Sequence, residues 1–262
     1  MSRLPTSVGP EAEVTPYPIN PEQRAHFETH GFVVLPDVLT AREIAEIRDR
    51  VDGILQGWFP VDRSAFIIGA ASNGDPDDLG RFTQQVMATR YPIQDEVLAA
   101  YGDHPRLRSL AAQLMETSHA GIFQQQALIK PPRQQNPTPW HQDDYYFGTE
   151  EPAITAWIAL EPVSESNGTL RVVPGSHKAH VFEHASAAGG SAFKEVQAPV
   201  AATDSVPILP KLGDVSFHHK RTLHGAFANN SDARRIAIAQ HYCGGNVELM
   251  RSRWIEHIKT QN

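Results

Sequence analysis

Apolar positions in "TAREIAEIRDRVDGILQG" fall on one helical face, because Ile44, Ile47, Val51, Ile54 and Leu55 recur three or four residues apart. Thr40 and Glu43 supply the capping box that starts this helix. A shorter helix is predicted over "NPEQRAHFETHG", where Asn20 caps, Pro21 suits the first turn, Gln23 completes the box and Gly31 ends the run. The apolar "FVVLP" after it reads as a short buried strand, and "HPRLRSLAAQLMETS" as a further helix. Between 62 and 92 the periodicity fades, and "ASNGDPDDLG" is a polar loop rich in turn residues.

After Gly121 the texture changes to short runs of β type: "IFQQQALIK", "WHQDDYYF", "AITAWIAL", "TLRVVPG", "DVSFHH" and "RRIAIAQHY", parted by Gly, Pro and Asn. Residues 1–19 carry Pro5, Pro10, Pro16 and Pro18 and are expected to form a flexible arm. Residues 184–206 are small, polar and glycine-bearing, which suits a mobile insertion, either a lid or a linker. Helices first and strands after predict one α+β domain over 20–262, with N-terminal helices bracing a β-barrel or sandwich.

Composition narrows the functional classes. A chain of 262 residues with 40% hydrophobic and 20% charged residues can bury a sizeable core. Its net charge of −7, with no run of Lys or Arg, argues against nucleic acid or an anionic membrane as partner. The one cysteine, Cys243, excludes an intrachain disulfide and a thiolate zinc cluster. The first twenty residues lack the apolar core of a signal peptide, and no stretch approaches a membrane span. A cytoplasmic protein is the expectation.

"PTPWHQDDYYF" carries the candidate chemistry. On a strand, residues two apart share a face, so His141 and Asp143 are expected to point together into the barrel. A third ligand would come from a distant strand, and "FHHKRTLHGAFANNSDARRIAIAQHY" offers His218, His219, His224 and His241. Two imidazoles and one carboxylate leave open positions on a metal, an arrangement suited to non-haem Fe(II) and oxygen chemistry. In "FQQQALIK", Gln124, Gln126 and Lys130 share a face, and Gln126 is expected to line a polar pocket.

The segment "HQDDYYF…AWIALEPVSESNGTLRVVPGSHK…LGDVSFHHKRTLHGAFANNSDARRIAIAQHY" resembles the phytanoyl-CoA dioxygenase family of Fe(II)/2-oxoglutarate oxygenases. "HGFVVLPDVLT" and "KPP" extend the likeness upstream. The resemblance implies a double-stranded β-helix (jelly roll, cupin-like) and a metal triad of His141, Asp143 and His224. It implies Fe(II), 2-oxoglutarate and O2 as cofactor and co-substrates. It also places Arg235 on the distal carboxylate of 2-oxoglutarate, a role that suits a planar fork of donors. Arg234, one residue earlier, would face the other way. Thr169 and Trp157 resemble the hydroxyl and aromatic contacts to the same co-substrate. Ala226 stands where the family can carry a serine. A carboxylate at Asp143 argues for hydroxylation over halogenation, with desaturation, epoxidation or cyclisation left open. A metal enzyme that does not use 2-oxoglutarate, and a catalytically silent barrel, are the alternatives.

Overall fold

The computed structural model describes residues 17–59, 66–68, 85–89, 95–133, 135–187 and 193–259. Most of the loop expected between 62 and 92 lies outside them. The order is α1 (Pro21–His30), β1 (Phe32–Leu35), α2 (Ala41–Leu55), β2 (Phe66–Ile68), β3 (Gln85–Thr89), α3 (Glu96–Gly102), α4 (Pro105–Met115), β4 (Gly121–Lys130), β5 (Thr138–His141) and α5 (Asp144–Phe147). Then come β6 (Ala153–Ala159), β7 (Leu170–Val172), β8 (His184–Ser186), β9 (Lys194–Val196), β10 (Val206–Pro207), β11 (Val215–His219), β12 (His224–Ala226), β13 (Arg235–Cys243) and α6 (Val247–Lys259). Both predicted capping boxes form: Asn20 with Gln23, and Thr40 with Glu43. Glu43 also reaches the buried His104, Oε1 to Nε2 at 3.0 Å, and so ties α2 to the start of α4.

Among the described residues, seven strands form one sheet in the order β1-β11-β6-β13-β4-β3-β2, and four form a second in the order β10-β7-β12-β5. Strands from the same stretch of chain alternate between the sheets, as in the double-stranded β-helix that the resemblance implies. Alternation along the large sheet separates two layers. Ile154, Ala156, Ile158, Val215, Phe217, Ile236 and Ile238 pack with Ile44, Ile47 and Val51 of α2 and Leu107, Leu110 and Leu114 of α4. On the other face Trp157, Ala159, Ala237 and Ala239 pack with Leu170 and Val172 of the small sheet. The helices therefore cover one face of the large sheet, and the space between the sheets is left for the site.

Two expectations change. The last residues of the predicted arm are docked, with the Tyr17 hydroxyl donating to the Pro36 carbonyl at 2.8 Å and the Ile19 N–H to Gln113 Oε1 at 3.0 Å. The strand expected through "WHQDDYYF" stops at His141, and Asp143 sits in helical geometry (φ −60, ψ −34) ahead of α5. Of the 184–206 segment, β8 and β9 pair as a hairpin, and residues 188–192 fall outside the described ones.

Candidate active site

His141 and His224 are direct cross-strand partners on β5 and β12. Such proximity lets two imidazoles converge, and their ring centroids lie 4.1 Å apart. Each Nδ1 sits on a backbone carbonyl: His141 on Pro139 at 2.8 Å, His224 on Thr222 at 2.9 Å. A carbonyl only accepts, so Nδ1 carries the hydrogen in both rings and Nε2 keeps a free lone pair. Asp143 closes the group, Oδ1 lying 3.6 Å from His224 Nε2 and 4.0 Å from His141 Nε2. No capping bond to α5 takes up its side chain. The three donor atoms lie within 4.8 Å of one another and could hold a metal ion, and they form the one such group among the described residues. Burial pushes both imidazoles down to about 4, against the pull of Asp143, so they are neutral and ready to ligate at neutral pH. For Asp143 burial works upward, but the imidazoles of His224, His218 and His241 outweigh it and hold the carboxyl well below its usual range.

Gly225, next to the distal histidine, has a packing reason. A Cβ there would meet the Thr138 carbonyl oxygen at 2.9 Å, so a side chain would push β12 away from β5 and part the two ligands.

A row of side chains crosses four strands beneath the triad: His218 on β11, Thr155 on β6, His241 on β13 and Gln124 on β4, each opposite the next. Thr155 donates to Asp143 Oδ2 at 2.6 Å and lies 2.9 Å from His241 Nδ1. The hydroxyl hydrogen is already used, so His241 Nδ1–H donates to the hydroxyl oxygen. Its Nε2, buried and without a partner, is then an acceptor in the cavity lining. His218 Nε2 lies 3.5 Å from Asp143 Oδ2, and neither of its nitrogens makes a hydrogen bond. Sequence reasoning offered His218 and His241 only as spare ligands. A period-two count from Arg235 passes through Ala237 and Ala239 to His241, so its inward aim was readable.

At the other end of the same cavity, Arg235 is buried. Its guanidinium donates to the carbonyls of Leu128 at 3.1 Å and Gly168 at 2.9 Å, while Nε has no partner. Among the described residues no carboxylate lies within ion-pair reach of it. Burial lowers it to about 10, with Glu161 opposing, so it stays a cation. An uncompensated buried cation with an orphaned N–H is the feature that a ligand carboxylate would satisfy. Trp157 lines the wall beside it, the guanidinium carbon 5.9 Å from its ring centre, and Gln126 lines the cavity. Thr169 is buried, but its hydroxyl donates to the Ile208 carbonyl and it does not appear among the described lining residues. Arg234 does face outward, bound to Asp52 at 2.7 Å and Glu161 at 2.6 Å. His177 is a turn residue, its Nε2 3.2 Å from the Glu28 carbonyl.

Asp144, Tyr145 and Tyr146 serve the surroundings of the metal group. The Asp144 carboxylate binds Lys220 at 3.0 Å and Arg221 at 2.8 Å, which fastens α5 to the link between β11 and β12. Tyr145 stacks on His184 at 4.3 Å, and the Tyr146 hydroxyl accepts from the Lys194 N–H at 3.0 Å. Both contacts bring the β8–β9 hairpin over the triad, where the Phe193 ring lies 4.9 Å from that of His141.

A double-stranded β-helix with two histidines and a carboxylate at one end of its cavity and a buried arginine at the other defines the non-haem oxygenase class of site. The model of the phytanoyl-CoA dioxygenase family matches residues 27–237, and the chain belongs to that family. It is similar to a probable phytanoyl-CoA dioxygenase of Caenorhabditis elegans, 26% identical over 241 residues that cover 87% of this chain and 77% of the relative. A probable alpha-ketoglutarate-dependent hypophosphite dioxygenase of Stutzerimonas stutzeri is 26% identical over 240 residues, covering 86% and 79%. Among solved structures, the non-heme alpha ketoglutarate dependent carbocyclase SnoK from nogalamycin biosynthesis is similar, with a TM-score of 0.67, 25% identity and coverage of 86% of this chain and 84% of that one. No helix among the described residues is long and apolar enough to cross a membrane.

Proposed function

We propose that this chain is an Fe(II)/2-oxoglutarate-dependent dioxygenase that hydroxylates an unactivated C–H bond of a small organic molecule. One observation carries the reading: a single cavity joins a three-donor metal group to a buried arginine that has no carboxylate within ion-pair reach among the described residues. His141, Asp143 and His224 would hold the iron from one side, their Nδ1 anchors and the Thr155 hydroxyl fixing the aim of each ligand. Arg235 would take the distal carboxylate of 2-oxoglutarate, with Trp157 and Gln126 shaping the wall. Bound iron, 2-oxoglutarate and O2 supply the oxidising power, with succinate and CO2 released. The protein's part is to exclude water and hold the substrate C–H over the open side of the metal.

A free small molecule fits better than a carrier-bound acyl chain. What supports this is the net charge of −7 and the absence of a basic run in the sequence for carrier phosphates. We read residues 20–262 as one domain with the β8 and β9 strands beside the site, supported by Phe193 over His141. The lone, buried Cys243 suits a reducing compartment such as the cytoplasm.

Anaerobic titration of the metal-free protein with Fe(II) and then 2-oxoglutarate tests the reading. The expected result is a visible charge-transfer band that is lost in Asp143→Ala and His224→Ala. Iron binding without the band would turn the assignment towards a metal enzyme that does not use 2-oxoglutarate.

A further inference from the structure

Arg235 on β13 stands directly opposite Lys130 on β4. Both are buried, both line the cavity, and directly opposed residues of an antiparallel pair project to the same side. Lys130 donates one N–H to the Asn136 carbonyl at 3.1 Å, which leaves donors of its ammonium unused. Gly168 lies against both cations. Its carbonyl accepts from Arg235, and a Cβ on it would come within 2.9 Å of Lys130 Cδ. Gly168 also holds φ of 75, so the contact relies on a residue without a side chain.

Among the described residues neither cation has a carboxylate within ion-pair reach. A charge on Lys130 would meet both its own lost hydration and the Arg235 guanidinium, so the floor resists a second cation until an anion arrives. Among the described residues Glu161 opposes the burial cost at Arg235, from beyond ion-pair distance. A carboxylate arriving between them would answer both charges at once.

We propose that Lys130 and Arg235 grip the distal carboxylate of 2-oxoglutarate together, Arg235 through its fork and Lys130 as a second cation. The proposal rests on the co-substrate reading above. Burial first, and the Arg235 charge second, push the lysine down to about 6, so the ammonium is favoured again when an anion lies beside it.

The test uses full-length wild type, Lys130→Met and Lys130→Gln. Each is loaded with Fe(II) without oxygen and titrated with 2-oxoglutarate and with 2-oxovalerate. The second acid keeps the chelating oxoacid end but has a methyl group in place of the distal carboxylate. Loss of the ammonium should weaken 2-oxoglutarate binding roughly 10- to 100-fold while leaving 2-oxovalerate binding unchanged. Lys130→Gln carries the same expectation and can still donate to Asn136, so it serves if Lys130→Met does not fold. The melting temperature of the metal-free variants should stay level or rise, because a buried, poorly solvated amine is removed. Equal weakening of both acids, or a lower melting temperature with 2-oxoglutarate binding intact, would make Lys130 a support for Asn136 and overturn the proposal. Wild type that binds Fe(II) but gives no band with 2-oxoglutarate would instead overturn the co-substrate reading, and the proposal with it.

Discussion

Thr155 grips Asp143 by its outer oxygen: the hydroxyl donates to Oδ2 at 2.6 Å, while Oδ1 turns towards His141 and His224. An aspartate placed just past a strand end needs such a hold, since the backbone there does not fix its rotamer. Thr155→Val keeps the shape and removes the donor. We expect iron affinity to fall roughly 10- to 100-fold with far-UV circular dichroism unchanged, and Thr155→Ser to recover most of it. Competition against a calibrated Fe(II) chelator measures this, and wild-type affinity in the valine variant would show that the hydroxyl does not orient the ligand.

Arg235 and Arg234 are adjacent in sequence and face opposite ways, one into the cavity and one to Asp52 and Glu161. Arg235→Gln should raise the Kd for 2-oxoglutarate by roughly 100-fold, because a buried carboxylate loses its charged partner. Arg234→Ala should leave that Kd alone and lower stability by about 1 kcal/mol, since its half-exposed pairs tie Asp52 of α2 to Glu161 after β6. Co-substrate titration and urea unfolding of the two variants separate the roles. A large Kd change in Arg234→Ala would reverse the assignment.

His141→Ala and His224→Ala should each abolish iron-dependent turnover and keep the fold. Thermal scans give a check that needs no substrate. Fe(II) should raise the melting temperature of wild type and shift neither variant, because a ligand that binds only the folded state stabilises it. A wild-type shift in His224→Ala would remove His224 from the metal group.

The metal-free protein should lose stability in mild acid. Burial pushes His141, His219, His224 and His241 down to about 4 from an ordinary value of 6.5. Between those values the unfolded chain binds more protons than the folded one, so stability is full above pH 6.5 and falls as pH drops towards 4. One fully buried imidazole shifted this far corresponds to about 3 kcal/mol, or roughly 6–12 °C in Tm for a chain of this length. Melting curves from pH 7 to 4.5 should show the fall, with a shallower slope in His241→Gln. A flat profile would mean that these imidazoles stay solvated.

What the sequence disclosed was mostly local. Caps and periodicity gave α1 and α2 almost to the residue, because Asn20, Thr40 and their glutamine and glutamate partners act within one turn. Alternation also gave the inward aim of Gln126, Trp157 and Arg235, since period two holds along a regular strand. His141 and Asp143 do converge, but for a different reason from the one the pleat suggested. The chain leaves β5 after His141 and enters a helical turn that swings Asp143 back to the metal side. Thr169 shows the opposite limit. Its hydroxyl is taken by Ile208, a carbonyl 39 residues away that only the completed fold brings near. The same holds for the row from His218 to Gln124, which needs the register of four strands drawn from distant parts of the chain.

The two anchoring points of the cavity belong to different sheets. Both histidines of the metal group stand on the small sheet, whereas Arg235 and Lys130 stand on the large one. A molecule held at both ends therefore spans the barrel, and the gap between the sheets acts as a ruler for carbon-chain length. Oxaloacetate, one carbon shorter, would leave one end unfilled, and 2-oxoadipate, one carbon longer, would have to buckle. Since the sheets are kept apart by Trp157, Leu170 and Val172, the graduations of that ruler are written in the apolar filling as much as in the polar groups at its ends.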